Sequence, residues 1–239
     1  MSALFEELDR RAPPMGEISL RRRREPTLQV DVFEARLEEE FLMSSLFTVA
    51  EVELARLGLA AVEGDGLDVV VGGLGLGYTA ATVLEDARVG SLTVVDALGE
   101  VVGWHRDHLL PLSEGLTADD RCDLLQGGFF ALAAAAEGFG PDAAPPFDAV
   151  LVDIDHTPRH LLHPSHAPFY EVAGLRRLAA QLTPGGVFAL WSDDPPDHEF
   201  SAVVDEVFAA SEAHVVTFAN PYTDGESANT VYVARDPRG

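Results

Sequence analysis

The chain has 239 residues, enough for one large domain or one domain with a small extension, and its 47% hydrophobic content excludes wholesale disorder. Its 40 acidic residues outweigh 16 basic ones, all of them arginine, for a formal net charge of −24, so the chain repels phosphate backbones and nucleic acid is not an expected substrate. A single cysteine, Cys122, excludes an intrachain disulfide and a cysteine-built zinc cage, and its strand-like neighbours point to a packed, inert thiol. No apolar run reaches the length of a membrane span, and the start lacks the basic-then-apolar order of a signal peptide, so a cytoplasmic protein is expected.

Residues 2–12 predict a short helix ended by Pro13-Pro14. From Gly16 to about Leu42 the pattern changes to alternating strands, Glu17 to Arg21 and Leu28 to Glu34, joined across Glu25-Pro26-Thr27 as a small β extension. The basic run Arg21 to Arg24 reads as a solvated sheet face. Thr48-Val49-Ala50-Glu51 has capping-box spacing and opens a helix to about Leu59, and Glu63 to Gly66 form the loop that follows. Residues 1–62 are thus read as an N-terminal extension of β-hairpin and helix, and 63–239 as the main nucleoside-binding domain.

Leu67-Asp68-Val69-Val70-Val71 is an apolar, β-branched run and reads as a buried strand. Gly72, Gly73, Leu74, Gly75 and Gly77 follow it as a tight turn before a helix that starts near Tyr78. Glycine lets a nucleotide-like ligand approach the backbone, and the helix would aim its unpaired N–H groups at that ligand. Ser91 to Asp96 is the next strand, and its terminal carboxylate lies about 20 residues beyond the glycines, where an acid can accept hydrogen bonds from ribose hydroxyls.

Residues 98–110 are helix-like, Cys122 to Gln126 a strand, and 129–137 a helix. Phe147 to Asp153 is a second buried strand, 167–182 a helix, and Gly185-Gly186 turn the chain into the strand Val187 to Trp191. After a helix at 199–211, His214 to Phe218 and Thr230 to Ala234 have no helix between them and imply an antiparallel hairpin at the sheet edge. The expected fold is α/β: a Rossmann-like, doubly wound, mostly parallel sheet with a C-terminal antiparallel hairpin and a small N-terminal β extension.

Several of these stretches, in order over about residues 16–234, resemble spermidine synthase. They are Gly16-Glu17-Ile18, the turn at 72–77, Asp96 with Glu100-Val101-Val102, the stretch from Asp148 to Pro158, Phe169-Tyr170, and Leu182-Thr183-Pro184-Gly185-Gly186. The resemblance implies transfer of a group from an S-adenosyl sulfonium to an amine, commonly by a homodimer. Decarboxylated S-adenosylmethionine is the family donor, and S-adenosylmethionine is the alternative. It also implies a base or amine anchor at Asp153, with Asp155 or His156 assisting it in orienting and deprotonating a small-molecule acceptor.

The chain departs from that family at several points. Gly75 stands where an Asp of the turn holds the aminopropyl end, and Met43, Val49 and Gly127 stand where the family has Gln, Tyr and an adenine-reading Asp. The second carboxylate of the strand-end motif falls at His156. What remains, Gly73-Leu74-Gly75-Leu76-Gly77, is the pattern of ordinary methyltransferases, although Val71 replaces their usual acid. A small-molecule methyltransferase and a non-catalytic nucleoside-binding protein are therefore the rival readings.

Four histidines, His156, His160, His163 and His166, fall within eleven positions. Pro158, Pro164 and Pro168 prevent one helix from presenting them together, so no metal site is expected and a substrate-covering loop is. Trp104, His105 and His108 read as core and surface positions, with a ring near the adenine edge as the other reading.

Overall fold

The computed structural model describes residues 5–13, 16–38, 40–135, 137–140 and 144–238. An antiparallel meander opens the chain: β1 (Phe5–Arg11), β2 (Ile18–Glu25), β3 (Val30–Leu37) and β4 (Glu40–Ser44). β1 corrects the helix expected over residues 2–12. Its Glu- and Arg-rich composition suits a helix, but its backbone pairs with β2 from Phe5↔Arg23 to Arg11↔Ile18, and cross-strand charges such as Glu6 and Arg22 meet at 2.6 Å. Residues 2–4 and Pro14 of that expectation lie outside the described residues.

The basic run in β2 is not uniformly solvated. Arg21 and Arg23, each 26% exposed, converge on the buried carboxylate of Glu34 in β3. Arg23 also pairs with Glu25, and Tyr222, near the chain's other end, donates its hydroxyl to Glu25 at 2.9 Å while accepting from Arg23 at 3.1 Å. The Thr27 amide and the Arg23 guanidinium together hold Glu25 down to about 2. The small sheet is thereby tied to the turn that contains Tyr222.

Helix α1 (Val49–Ala60) follows, and then β5 (Leu67–Gly72), α2 (Tyr78–Glu85), β6 (Val89–Asp96), α3 (Gly99–Arg106), α4 (Ser113–Ala118), β7 (Cys122–Gln126), α5 (Phe129–Ala134) and β8 (Phe147–Val152). A 3-10 turn at Pro164–Tyr170 leads into α6 (Val172–Ala179), β9 (Leu182–Ser192), α7 (His198–Val207), β10 (Phe208–Asn220) and β11 (Gly225–Pro237). The seven strands from β5 onward form one sheet in the order β10-β11-β9-β8-β5-β6-β7. Its members β5 to β9 pair in parallel, whereas β11 runs antiparallel to both β9 and β10.

This is the expected α/β architecture, a mostly parallel sheet closed by a C-terminal antiparallel hairpin, with the β extension as a separate four-stranded sheet. Several boundaries differ from expectation: the helices expected at 98–110 and 129–137 end at Arg106 and Ala134, and the hairpin strands are longer, Phe208–Asn220 and Gly225–Pro237. The helix expected at 199–211 ends at Val207, because residues 208–213 pair with the end of β11. The helix expected at 167–182 splits into a 3-10 turn, started by Pro164 and containing Pro168, and the eight-residue α6. Strand β9 begins at Leu182, with a register irregularity between Phe147 and Ala149 of its partner, before the regular stretch expected from Val187.

The central strands bury both faces, which is why they read as unbroken apolar runs. Val69 and Val71 point into one core, with Leu54, Leu59, Leu151 and Trp104; Val70 points into the other, with Phe129, Val150, Leu175 and Phe188. Residues from α1 to α4 and from the small sheet fill the first core, and residues from α5 to α7 the second.

Trp104 of α3 is fully buried and donates its indole N–H to Asp9 of β1 at 2.7 Å. Replacing Asp9 by Ala leaves that donor without its acceptor. The expected cost is about 1 to 3 kcal/mol of stability, read by urea denaturation followed through tryptophan fluorescence. No change in the denaturation midpoint would contradict this.

Candidate active site

The glycine turn between β5 and α2 is held from three sides. Gly73 takes φ +96°, and a Cβ there would stand 1.9 Å from the carbonyl oxygen of Asp153, so only glycine fits. Asp96, at the end of β6, accepts from the amides of Leu74 at 3.0 Å and Leu98 at 2.8 Å. His105 lies buried beneath the turn, with Nε2 2.9 Å from the Gly75 carbonyl and Nδ1 3.3 Å from the Ser113 hydroxyl. A carbonyl can only accept, so Nε2 carries the proton; burial lowers the His105 pKa and favours this neutral form.

Above the turn lies a cavity of about 750 Å³ at the carboxyl ends of the parallel strands. The structure brings Gly73, Leu74, Gly75, Gly77, Asp96, Asp153 and His156 to its wall. Two of the sequence candidates do not line it. Gly72 ends β5 beneath the turn, its carbonyl accepting from the Asp153 amide at 2.8 Å. Asp155, 1% exposed, is enclosed in the loop after β8, where it accepts from the Leu162 amide at 2.7 Å, the Tyr170 hydroxyl at 2.9 Å and His166 Nδ1 at 2.9 Å.

Glu51 is the residue that the sequence reading missed. The capping box expected at Thr48 and Glu51 does not form, since Thr48 makes no side-chain cap bond. Glu51 instead lines the cavity with Asp153 and Asp193. Burial and the Asp153 charge, with a further contribution from Asp193, push the Glu51 pKa well above the usual carboxylate range. Asp153 is raised as well, by burial, against the opposing effect of Thr79, which donates its hydroxyl at 2.9 Å. Two carboxylates that share a partly dry site hold a proton more tightly than either would alone.

No arginine is among the lining residues, and much of the remaining wall is apolar, including Phe41, Met43, Phe47, Trp191 and Phe218. Met43 occupies the space over the turn, where a Cβ on Gly75 would meet its sulfur at 2.9 Å. Of the four clustered histidines, His156 and His166 line the cavity. Among the described residues no three His, Cys, Asp or Glu side chains converge as a metal site. Nor is any helix among them long and apolar enough to cross a membrane. Cys122 is partly covered, and burial raises its thiol to about 12.

A glycine turn after the first parallel strand and an acid closing the next belong to a Rossmann-like, methyltransferase-type α/β fold. No protein-family model matches the chain. Among solved structures, the chain is similar to a spermidine synthase in complex with the transition state analogue AdoDATO, with a TM-score of 0.74 and 15% identity over 96% of this chain and 73% of that one. It is also similar to the spermidine synthase from Thermotoga maritima, with a TM-score of 0.73 and 15% identity over 96% and 72% of the two chains. The fold is that of a divergent spermidine synthase-like protein.

The raised carboxylates have a consequence for stability. A folded-state pKa above the unfolded value means that the native protein holds more protons through that window, so stability falls as pH rises through it. Glu51→Gln removes the penalty. Its melting temperature should gain on that of the unmodified protein as pH goes from about 5 to about 9, and a constant difference would contradict the assignment.

Proposed function

We propose that this protein transfers a group from an S-adenosyl sulfonium to an amine, with the nucleoside over the glycine turn and the amine beside Asp153 and Glu51. The observation that carries this reading is the pairing, in one cavity, of Asp96, the acid that ends β6, with two partly buried carboxylates of raised pKa, Glu51 and Asp153. The likeness in fold to spermidine synthases, one of them in complex with AdoDATO, supports it.

The donor carbon next to a sulfonium is already electrophilic, so the protein's task is to align the nucleophile and take its proton. An amine enters as an ammonium, attracted by the carboxylates, and gives a proton to Asp153, whose raised pKa suits it to accept one near neutral pH. The free nitrogen lone pair then forms the new N–C bond as the S–C bond breaks, its electrons returning to sulfur as a neutral thioether. His156, also on the wall, is a second group that can take up the proton.

The charge of the wall favours the decarboxylated donor. Glu51, Asp96, Asp153 and Asp193 line the cavity without an arginine among them, so an added donor carboxylate would find no permanently charged cationic partner there. Methyl transfer from S-adenosylmethionine is the second reading, favoured by Gly75 and by Met43 over it, which leave no turn carboxylate for an aminopropyl end.

Parallel calorimetric titrations with decarboxylated S-adenosylmethionine, S-adenosylmethionine, methylthioadenosine and NAD test the reading. Tighter binding of the decarboxylated donor is the expected order, and preference for S-adenosylmethionine would shift the reaction to methyl transfer. Asp96→Ala should weaken donor binding about tenfold or more, and unchanged binding would contradict the placement of the ribose. With an amine acceptor, Asp153→Asn should lower kcat about 100-fold, and an unaltered kcat would exclude Asp153 as the base.

A further inference from the structure

The cavity wall also includes Leu98, Phe130, Leu162, Ser165 and His166, which the transfer step does not use. The His166 ring lies against Phe130, with centroids 4.1 Å apart and planes 32° from parallel, so one face is covered and the ring offers the cavity an edge. Its Nδ1 is 2.9 and 3.1 Å from the two oxygens of Asp155.

Asp155 fixes which nitrogen carries the proton. It is 1% exposed, and its other partners, the Leu162 amide and the Tyr170 hydroxyl, both donate to it. His166 Nδ1–H is then the third donor to Asp155, and in the neutral ring Nε2 is the remaining acceptor. No hydrogen bond among the described residues uses that nitrogen. This part of the wall therefore presents an oriented acceptor, His166 Nε2, among the apolar and aromatic side chains of Leu98, Phe130 and Leu162, which suits a planar base with an amino edge.

We infer that His166 Nε2, oriented by Asp155, reads the base of the bound nucleoside by accepting a hydrogen bond from its exocyclic amino group, and so selects adenine over hypoxanthine. The inference rests on the nucleoside reading above. With the ribose held at Asp96, the base of hypoxanthine would place a carbonyl oxygen where adenine has its amino group, and two lone pairs would face each other. Asp155 acts as a positioning residue through the tautomer it imposes.

Calorimetric titration of the full chain with methylthioadenosine and methylthioinosine tests this. The unmodified protein should prefer the adenine compound about tenfold. His166→Phe keeps the ring packed on Phe130 and should bring the two affinities within about twofold of each other. Asp155→Asn should reverse the order, because its amide would donate to Nδ1 and move the imidazole proton to Nε2.

Equal affinities in the unmodified protein, or a preference that survives His166→Phe, would overturn the role of His166 while methylthioadenosine binding left the nucleoside reading intact. Failure of the unmodified protein to bind either compound would overturn both. The ratio measured on the unmodified protein decides the first question even if a variant fails to fold, and thermal melting identifies such a variant.

Discussion

The structure depends on one close approach. The Cα of Gly73 packs so tightly against the Asp153 carbonyl that no side chain fits between them, which brings the turn after β5 into contact with the end of β8. That contact sets the floor of the cavity and the position of the Asp153 side chain at its wall. Asp96 and His105 then brace the same turn, one binding its amides and the other its carbonyl. The glycine turn and the strand end that carries Asp153 are therefore held together as one packed unit.

Charge gives the cavity its character. Placing Glu51 and Asp153 in a partly desolvated pocket is unfavourable in the empty protein, and a bound ammonium relieves it by supplying the missing counter-charge. Stability is thus given up at a site where it can be recovered on binding. The aromatic and aliphatic wall strengthens this effect, since electrostatic attraction grows as water is excluded. Elsewhere on the wall the His166 imidazole, held by Asp155 and packed on Phe130, offers an oriented ring instead of a carboxylate.

What was legible in the sequence was local in origin. The β-branched runs at Val69 to Val71 and Val150 to Val152 can hardly be anything but doubly buried strands, and the glycines after the first leave a turn as the only choice. Features decided by distant partners were not legible. Phe5–Arg11 has a helical composition but is drawn into a strand by β2, and Phe208 to Ala213 is drawn into β10 by β11. Glu51 carries the spacing of a cap, and only the arrival of β8 turns it into a wall of the site. Adjacency made His156 the apparent partner of Asp155, whereas the prolines of the loop fold His166 back onto that carboxylate from eleven residues away.

The most direct test of the account is a crystal structure of the protein with methylthioadenosine bound. It should show the ribose hydroxyls on Asp96, the thioether sulfur facing Asp153, and the base beside His166. A nucleoside found outside this cavity, or inside it with its ribose away from Asp96, would contradict the central claim.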